Sequence, residues 1–256
     1  LNMAENQYDF PTEVLDSPSK GLLYPKDSPL SSGKIEIKYM TAKEEDILTS
    51  TNLLEKGLAI TKLLESIIAD PKIKLDDILL GDKNAIMIGA RILGYGKDYE
   101  VSVTDPDTKL QEKTVVDLST IKHKEIDYSL IEGSDNKFSF TLPNSKRTLE
   151  FRLLTHKDDE VITETEKAFQ KVGHSSTFTT RLKQHIVSVD GDTSKTSINR
   201  FIDKEFITLD TREFRKYLKK ITPDVDLTFD YTSQIGEPHK VSIPLGVTFF
   251  WPDLTI

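Results

Sequence analysis

The spacing of apolar residues changes repeatedly along this 256-residue chain. From Ile47 to Leu93 it follows the 3.6-residue period of helices, and from Tyr99 it alternates as strands do. Helical spacing returns at Thr155, and clean alternation resumes at Val225. A chain that keeps its helical and strand periods in separate stretches, with hairpin-length turns between the strands, folds as α+β with antiparallel strands.

The local signals sharpen this reading. Residues 1 to about 34 are punctuated by Pro18, Gly21 and Pro29, with Leu22, Leu23 and Tyr24 between them. This predicts an extended arm with one apolar anchor, removable from a folded remainder. Ile35, Ile37 and Tyr39 alternate as a short strand. Thr41-Ala42-Lys43-Glu44 has the capping-box pattern, and Asp210-Thr211-Arg212-Glu213 has a second. Between these boxes, helices are expected over Ile47–Leu58, Ile60–Ile68 and Asp76–Leu80. Gly81-Asp82 is expected to break the chain before a buried helix that runs to about Gly94. Val101 and Val103, then Val115 and Leu118, predict strands joined across Asp105-Pro106-Asp107. Phe138–Leu142 and Leu149–Leu153 predict a hairpin around Pro143-Asn144-Ser145-Lys146. Val161, Ile162, Thr165, Phe169 and Val172 predict one buried helical face, and a further helix is expected over about Thr177–Val187. Ile198, Phe201, Ile202 and Phe206 share the next face, and Phe214, Tyr217, Leu218 and Ile221 the last. The resulting organisation is an arm with a short strand (1–40), a helical domain (41–98), a discontinuous β module (99–154 plus 222–256) and an inserted helical segment (155–221).

Composition narrows the function. The chain has no cysteine, which removes disulfides, thiol nucleophiles and thiolate zinc sites together. Its net charge of −8 opposes general nucleic-acid binding, because phosphates are held by Lys and Arg through counterion release. No apolar run approaches the roughly 18 residues of a membrane span, and no signal-peptide pattern opens the sequence.

Chemistry-bearing motifs are scarce. Gly94-Tyr95-Gly96 lacks the later glycine and the preceding strand of a dinucleotide loop, and no phosphate-binding Lys-Ser/Thr motif is present. The histidines are scattered, without i, i+4 spacing. Asp190-Gly191-Asp192 has its glycine at the wrong offset for a calcium loop, so a turn leading to a helix N-cap is expected. Asp105 and Asp107 flank a proline in a polar turn, where Asp bonds its own backbone. No catalytic, metal or cofactor site is expected. Two surface candidates stand out. Leu22, Leu23 and Tyr24, with Phe249, Phe250 and Trp251, resemble buried interface anchors, against the plainer reading that they pack in the core. Arg212, Arg215, Lys216 and Lys219 form a weaker candidate, a basic face that a solvated amphipathic helix also explains.

Several runs resemble a known family. They are Ser19-Lys20-Gly21-Leu22-Leu23-Tyr24-Pro25, Gly33-Lys34-Ile35, Met40 to Leu48, Leu79 to Ile86, Ala90 to Gly96, Ile243-Pro244-Leu245 and Phe249-Phe250-Trp251-Pro252. Together the chain resembles the baseplate hub and hub-assembly proteins of T-even-like contractile-tailed bacteriophages, most strongly over residues 19 to 100. The resemblance implies a structural hub subunit or an assembly factor, placed in the virion tail baseplate or in the host cytoplasm during assembly. Its partners would be other hub and tail proteins, with self-association as a further option. Some relatives carry Cys-x-x-Cys pairs in two hairpins; here those turns read Asp105-Pro106-Asp107-Thr108 and Thr232-Ser233-Gln234-Ile235. If the turns meet, hydrogen bonds and packing have to hold what metal holds elsewhere. The competing expectations are a tail-associated hydrolase, which needs a pocket gathering acidic or His side chains, and a DNA-contacting adaptor, which needs an exposed and extended basic face.

Overall fold

The structure, a computed structural model, describes residues 11–171 and 176–250. The fold is α+β, built from small antiparallel ladders held together by helices. Strand β1 (Thr12–Asp16) pairs antiparallel with β2 (Lys34–Lys38), Thr12 opposite Lys38 and Asp16 opposite Lys34. The stretch expected as an arm therefore folds back on its own chain. Between the strands, a 3₁₀ turn at Pro29–Ser32 ends on Gly33, whose φ of 70° and close approach to the Lys20 carbonyl leave no room for a Cβ.

The helical unit follows as α1 (Ala42–Thr49), α2 (Thr51–Lys56) and α3 (Ala59–Ile67). Thr41 forms the expected capping box with Glu44, whose other carboxylate oxygen accepts from Ser66 at 2.6 Å and so ties α1 to α3. Gly57, at φ 71°, closes α2 by donating to the Leu53 and Leu54 carbonyls. Only a 3₁₀ turn, Leu75–Asp77, occupies the place of the expected short helix. Helix α4 (Leu80–Tyr95) then starts earlier than expected, because Gly81 and Asp82 form its first turn instead of breaking the chain. Gly81 is needed there: a Cβ would collide with the Pro223 carbonyl.

Strands β3 (Asp98–Thr104) and β4 (Gln111–Asp117) form one hairpin, β8 (Thr228–Thr232) and β9 (Pro238–Ser242) another. On β4 it is Val116 that faces inward, while Val115 is 62% exposed. The two adjacent valines fit either face, and register decides between them. A three-stranded sheet orders β5 (Phe138–Thr141), β6 (Thr148–Phe151) and β7 (Ile186–Val189) side by side. Strand β7 replaces the end of a helix expected to reach Val187. It ties the segment after Thr155 directly to the middle hairpin.

The remaining helices are α5 (His156–Gln170), α6 (Thr177–His185), α7 (Lys195–Arg200), α8 (Thr208–Ile221) and α9 (Val247–Phe250). On α5 the buried residues are His156, Asp158 and Ile162; Val161 and Phe169 are exposed, and Val172 lies outside the described residues. Helix α7 runs into a π turn at Phe201–Glu205. Helix α8 begins at Thr208, so Asp210 is no N-cap. Its carboxylate instead accepts from the Asn144 amide (2.9 Å), the Asn144 side chain (2.8 Å) and the Ser145 amide (2.9 Å), holding the β5–β6 turn. One continuous core joins these parts, with Ile37, Leu63, Ile86, Phe151, Phe214 and Phe249 among its most enclosed side chains.

Candidate protein-binding site

The two hairpins whose meeting the sequence left as a conditional do meet, and the carboxylates of Asp105, Glu112 and Asp107 bridge them. Asp105, at the end of β3, has no exposed surface. It accepts from the amides of Asp107 (2.8 Å) and Thr108 (2.9 Å) in its own turn. From the other hairpin it accepts from the Gln234 amide (2.9 Å) and lies 3.1 Å from the Tyr231 hydroxyl. That hydroxyl has one proton and lies closer to Glu112, at 2.7 Å, which also accepts from the Gln234 side chain. His239 closes the far side against Asp107 at 2.9 Å.

The electrostatics follow from these partners. The Thr108 amide, helped by those of Gln234 and Asp107, holds the Asp105 carboxyl well below the usual carboxylate range against the opposing effect of its desolvation. The His239 hydrogen bond lowers Asp107. The neighbouring Glu112 raises the Tyr231 hydroxyl, as do burial and Asp105. At neutral pH the clasp is therefore a carboxylate ringed by donors. Among the described residues, no group of three or more His, Cys, Asp and Glu side chains is arranged to hold a metal ion.

This clasp fixes the hairpin tips and leaves apolar side chains on them. Leu110, where β4 begins, is 56% exposed, and Ile235, in the β8–β9 turn, is 66% exposed. Sequence reasoning passed over both. Their signal was a large apolar residue set among turn residues, as in Lys109-Leu110 and Ile235-Gly236.

The anchors expected at the chain's two ends are placed differently. Leu23 and Tyr24 are buried in the chain's own core, and Leu22 packs half-buried against it. The Tyr24 hydroxyl donates to Asp82 at 2.6 Å and accepts from the Leu79 amide at 2.9 Å. Phe249 and Phe250 are fully enclosed. The Phe249 ring sits 5.0 Å from that of Tyr99, and its carbonyl accepts from Arg91 Nε at 3.1 Å. Trp251 lies outside the described residues. Exposed side chains remain at the hairpin tips and along α8. There Arg212, Arg215, Lys216 and Lys219 are all exposed; Lys216 pairs with Glu213 at 2.6 Å, and the Arg215 guanidinium stacks over Phe178 at 5.1 Å.

No curated protein and no solved structure matches the chain. The family described as T4 bacteriophage base plate protein matches residues 24–251, a span that takes in the Tyr24–Asp82 contact, both clasped hairpins and α8. A match over nearly the whole chain, carried by a fold in which these parts form one core, shows that the protein belongs to the T4 bacteriophage base plate protein family and to the tail baseplate of a phage.

Proposed function

We propose that this chain serves the baseplate hub of a T-even-like phage, as a hub subunit or as a factor that assembles the hub, and that it works by binding other hub and tail proteins without catalysing a reaction. The observation that carries this reading is the clasp. Six polar side chains, together with the Gln234 amide, fix two hairpin tips against each other, and the product is a preorganised surface carrying Leu110 and Ile235. Exposed apolar side chains on a preorganised surface suit protein recognition, since little ordering is left to oppose association. Between the two roles the subunit reading is favoured by the hydrogen bonds that fix the tips, and either role begins with synthesis in the host cytoplasm.

Quantitative mass spectrometry of purified virions beside infected-cell lysate tests the role. A fixed small-integer copy number in particles identifies a subunit; abundance in lysate with absence from particles identifies an assembly factor. Leu110→Asp with Ile235→Asp tests the surface. The variant should fold and yet fail to support tail assembly in a complementation assay, and full complementation would remove the hairpin tips from the binding surface.

A further inference from the structure

Helix α8 does more than present a solvated basic face. The Arg215 guanidinium of α8 lies over the Phe178 ring of α6 at 5.1 Å, and the next turn of each helix contributes to the lining of a groove of about 440 Å³. Lys219 enters it from α8, Arg181 from α6, Lys83 from α4, and Lys124 from the chain after β4. Leu80 and Leu218, both half-buried, contribute its apolar surface. Two carboxylates answer this charge: Asp159 pairs with Lys83 at 2.7 Å and reaches Arg181 at 3.9 Å, and Asp224 pairs with Lys124 at 2.8 Å. Lys219 and Arg212, on the same face of α8, have no carboxylate within ion-pair distance among the described residues. On a chain of net charge −8, this is a local excess of positive charge with an apolar floor.

We propose that the groove between α6 and α8 receives an acidic peptide segment of a partner protein, with carboxylates set against Lys219 in the groove and against Arg215 and Arg212 on the adjoining face of α8, and an apolar side chain laid on Leu80 and Leu218. The inference rests on the protein-binding reading above but concerns a different surface from the hairpin tips. An acidic peptide fits better than a nucleic acid. A continuous phosphate chain would have to run past Asp159, Asp224 and Glu213, whereas a peptide can place its few carboxylates opposite the unpaired cations and present neutral residues elsewhere. Arg215, at the margin of the groove, is suited to hold a carboxylate, since its contact with Phe178 steadies the planar guanidinium while its N–H groups face no other acceptor among the described residues.

The test uses the full-length purified chain and a fluorescein-labelled octapeptide of alternating Glu and Leu, followed by anisotropy at low and at near-physiological salt. Binding should weaken as salt rises and fall at least tenfold in affinity in Arg215→Glu/Lys219→Glu, with the milder Arg215→Gln/Lys219→Gln showing a smaller loss in the same direction. Lys26→Glu/Lys72→Glu, which alters charge elsewhere by the same amount, should bind as the unaltered chain does. No peptide binding, equal binding by the groove variants, or tighter binding of an oligothymidylate of equal charge would each overturn the proposal. A failure here combined with a fixed copy number in virions would remove the groove and leave the hub reading standing.

Discussion

The Tyr24 hydroxyl donates to the Asp82 carboxylate at 2.6 Å between two buried side chains 58 residues apart. Ser19 joins the same carboxylate through its amide (2.9 Å) and its hydroxyl (2.6 Å). Asp82 thus ends three donor bonds, and burial still pushes its pKa up while also driving the Tyr24 hydroxyl well above its ordinary value. The connection between β1 and β2 is fastened to the first turn of α4 by this node. Tyr24→Phe removes a donor from Asp82 and the acceptor of the Leu79 amide, at an expected cost of about 1–3 kcal/mol for each buried group left unsatisfied. Urea unfolding should show a lowered midpoint with an unchanged slope. Tyr128→Phe, which loses a single hydrogen bond from a half-buried tyrosine to the Pro18 carbonyl, should cost less; equal effects would mean that the Asp82 bond is not special.

Removal of residues 1–34 is expected to unfold the chain. The sequence suggested a folded remainder without its partner-binding arm, but the deletion takes away β1, Leu23, Tyr24 and Leu30 and leaves Asp82 buried without its donors. An uncompensated buried carboxylate and an opened core are each destabilising by several kcal/mol. Loss of the near-ultraviolet circular dichroism signal, or recovery only as aggregates, is the expected outcome. A truncated chain that melts cooperatively near the full-length temperature would contradict it.

Asp210 is one of the carboxyls expected to make the fold sensitive to acid. Burial alone would raise its pKa, but the hydrogen bonds from Ser145 and Asn144 outweigh that effect and bring it down to about 2. A carboxyl depressed in the folded state below its unfolded value of about 3.9 contributes stability that is complete above that value. The contribution is lost as pH falls towards the folded pKa. Stability should therefore decline between about pH 4 and pH 2, and Asp210→Ala should flatten that decline while costing about 1–3 kcal/mol at neutral pH through the unmet amides. Chemical denaturation across this range compares the two slopes; an identical decline in both would assign the acid limit to other carboxyls.

These side chains also show what could and could not be seen in the sequence. The Thr41–Glu44 box was legible because every group in it is local, and the hairpins were legible because alternation and turn residues agree. Asp210 matched a capping box equally well and is engaged by Asn144 and Ser145, which no local pattern reveals. Strand β7 follows α6 without a turn and has only the four residues Ile186–Val189, too few for a period to register. Leu23, Tyr24, Phe249 and Phe250 had the composition of interface anchors, but cores and interfaces draw on the same residue types, and only the tertiary contacts separate them. The clasp was foreseen as a conditional, with its two turns named and its hydrogen bonds unknown.

Those bonds make the clasp testable as a unit. Asp105→Ala deprives the Gln234, Thr108 and Asp107 amides of their common acceptor, while Glu112 can still hold the Tyr231 hydroxyl. The two hairpins should then loosen around the Gln234 amide without unfolding the core, because Glu112 and Asp107 still bridge them and each retains its own ladder. Amide hydrogen exchange should quicken selectively at Gln234 and Thr108, with Ile86 and Leu149 in the core unchanged. Asp105→Asn is the more informative partner variant, since one amide oxygen can replace only part of the acceptor capacity and its NH₂ would face donors, so intermediate protection is expected. In the unaltered chain the same amides should stay protected down through the ordinary carboxylate range, because the depressed pKa of Asp105 keeps it ionised there. Loss of protection at Gln234 already near pH 4 would show that the hairpins are held by something other than this carboxylate.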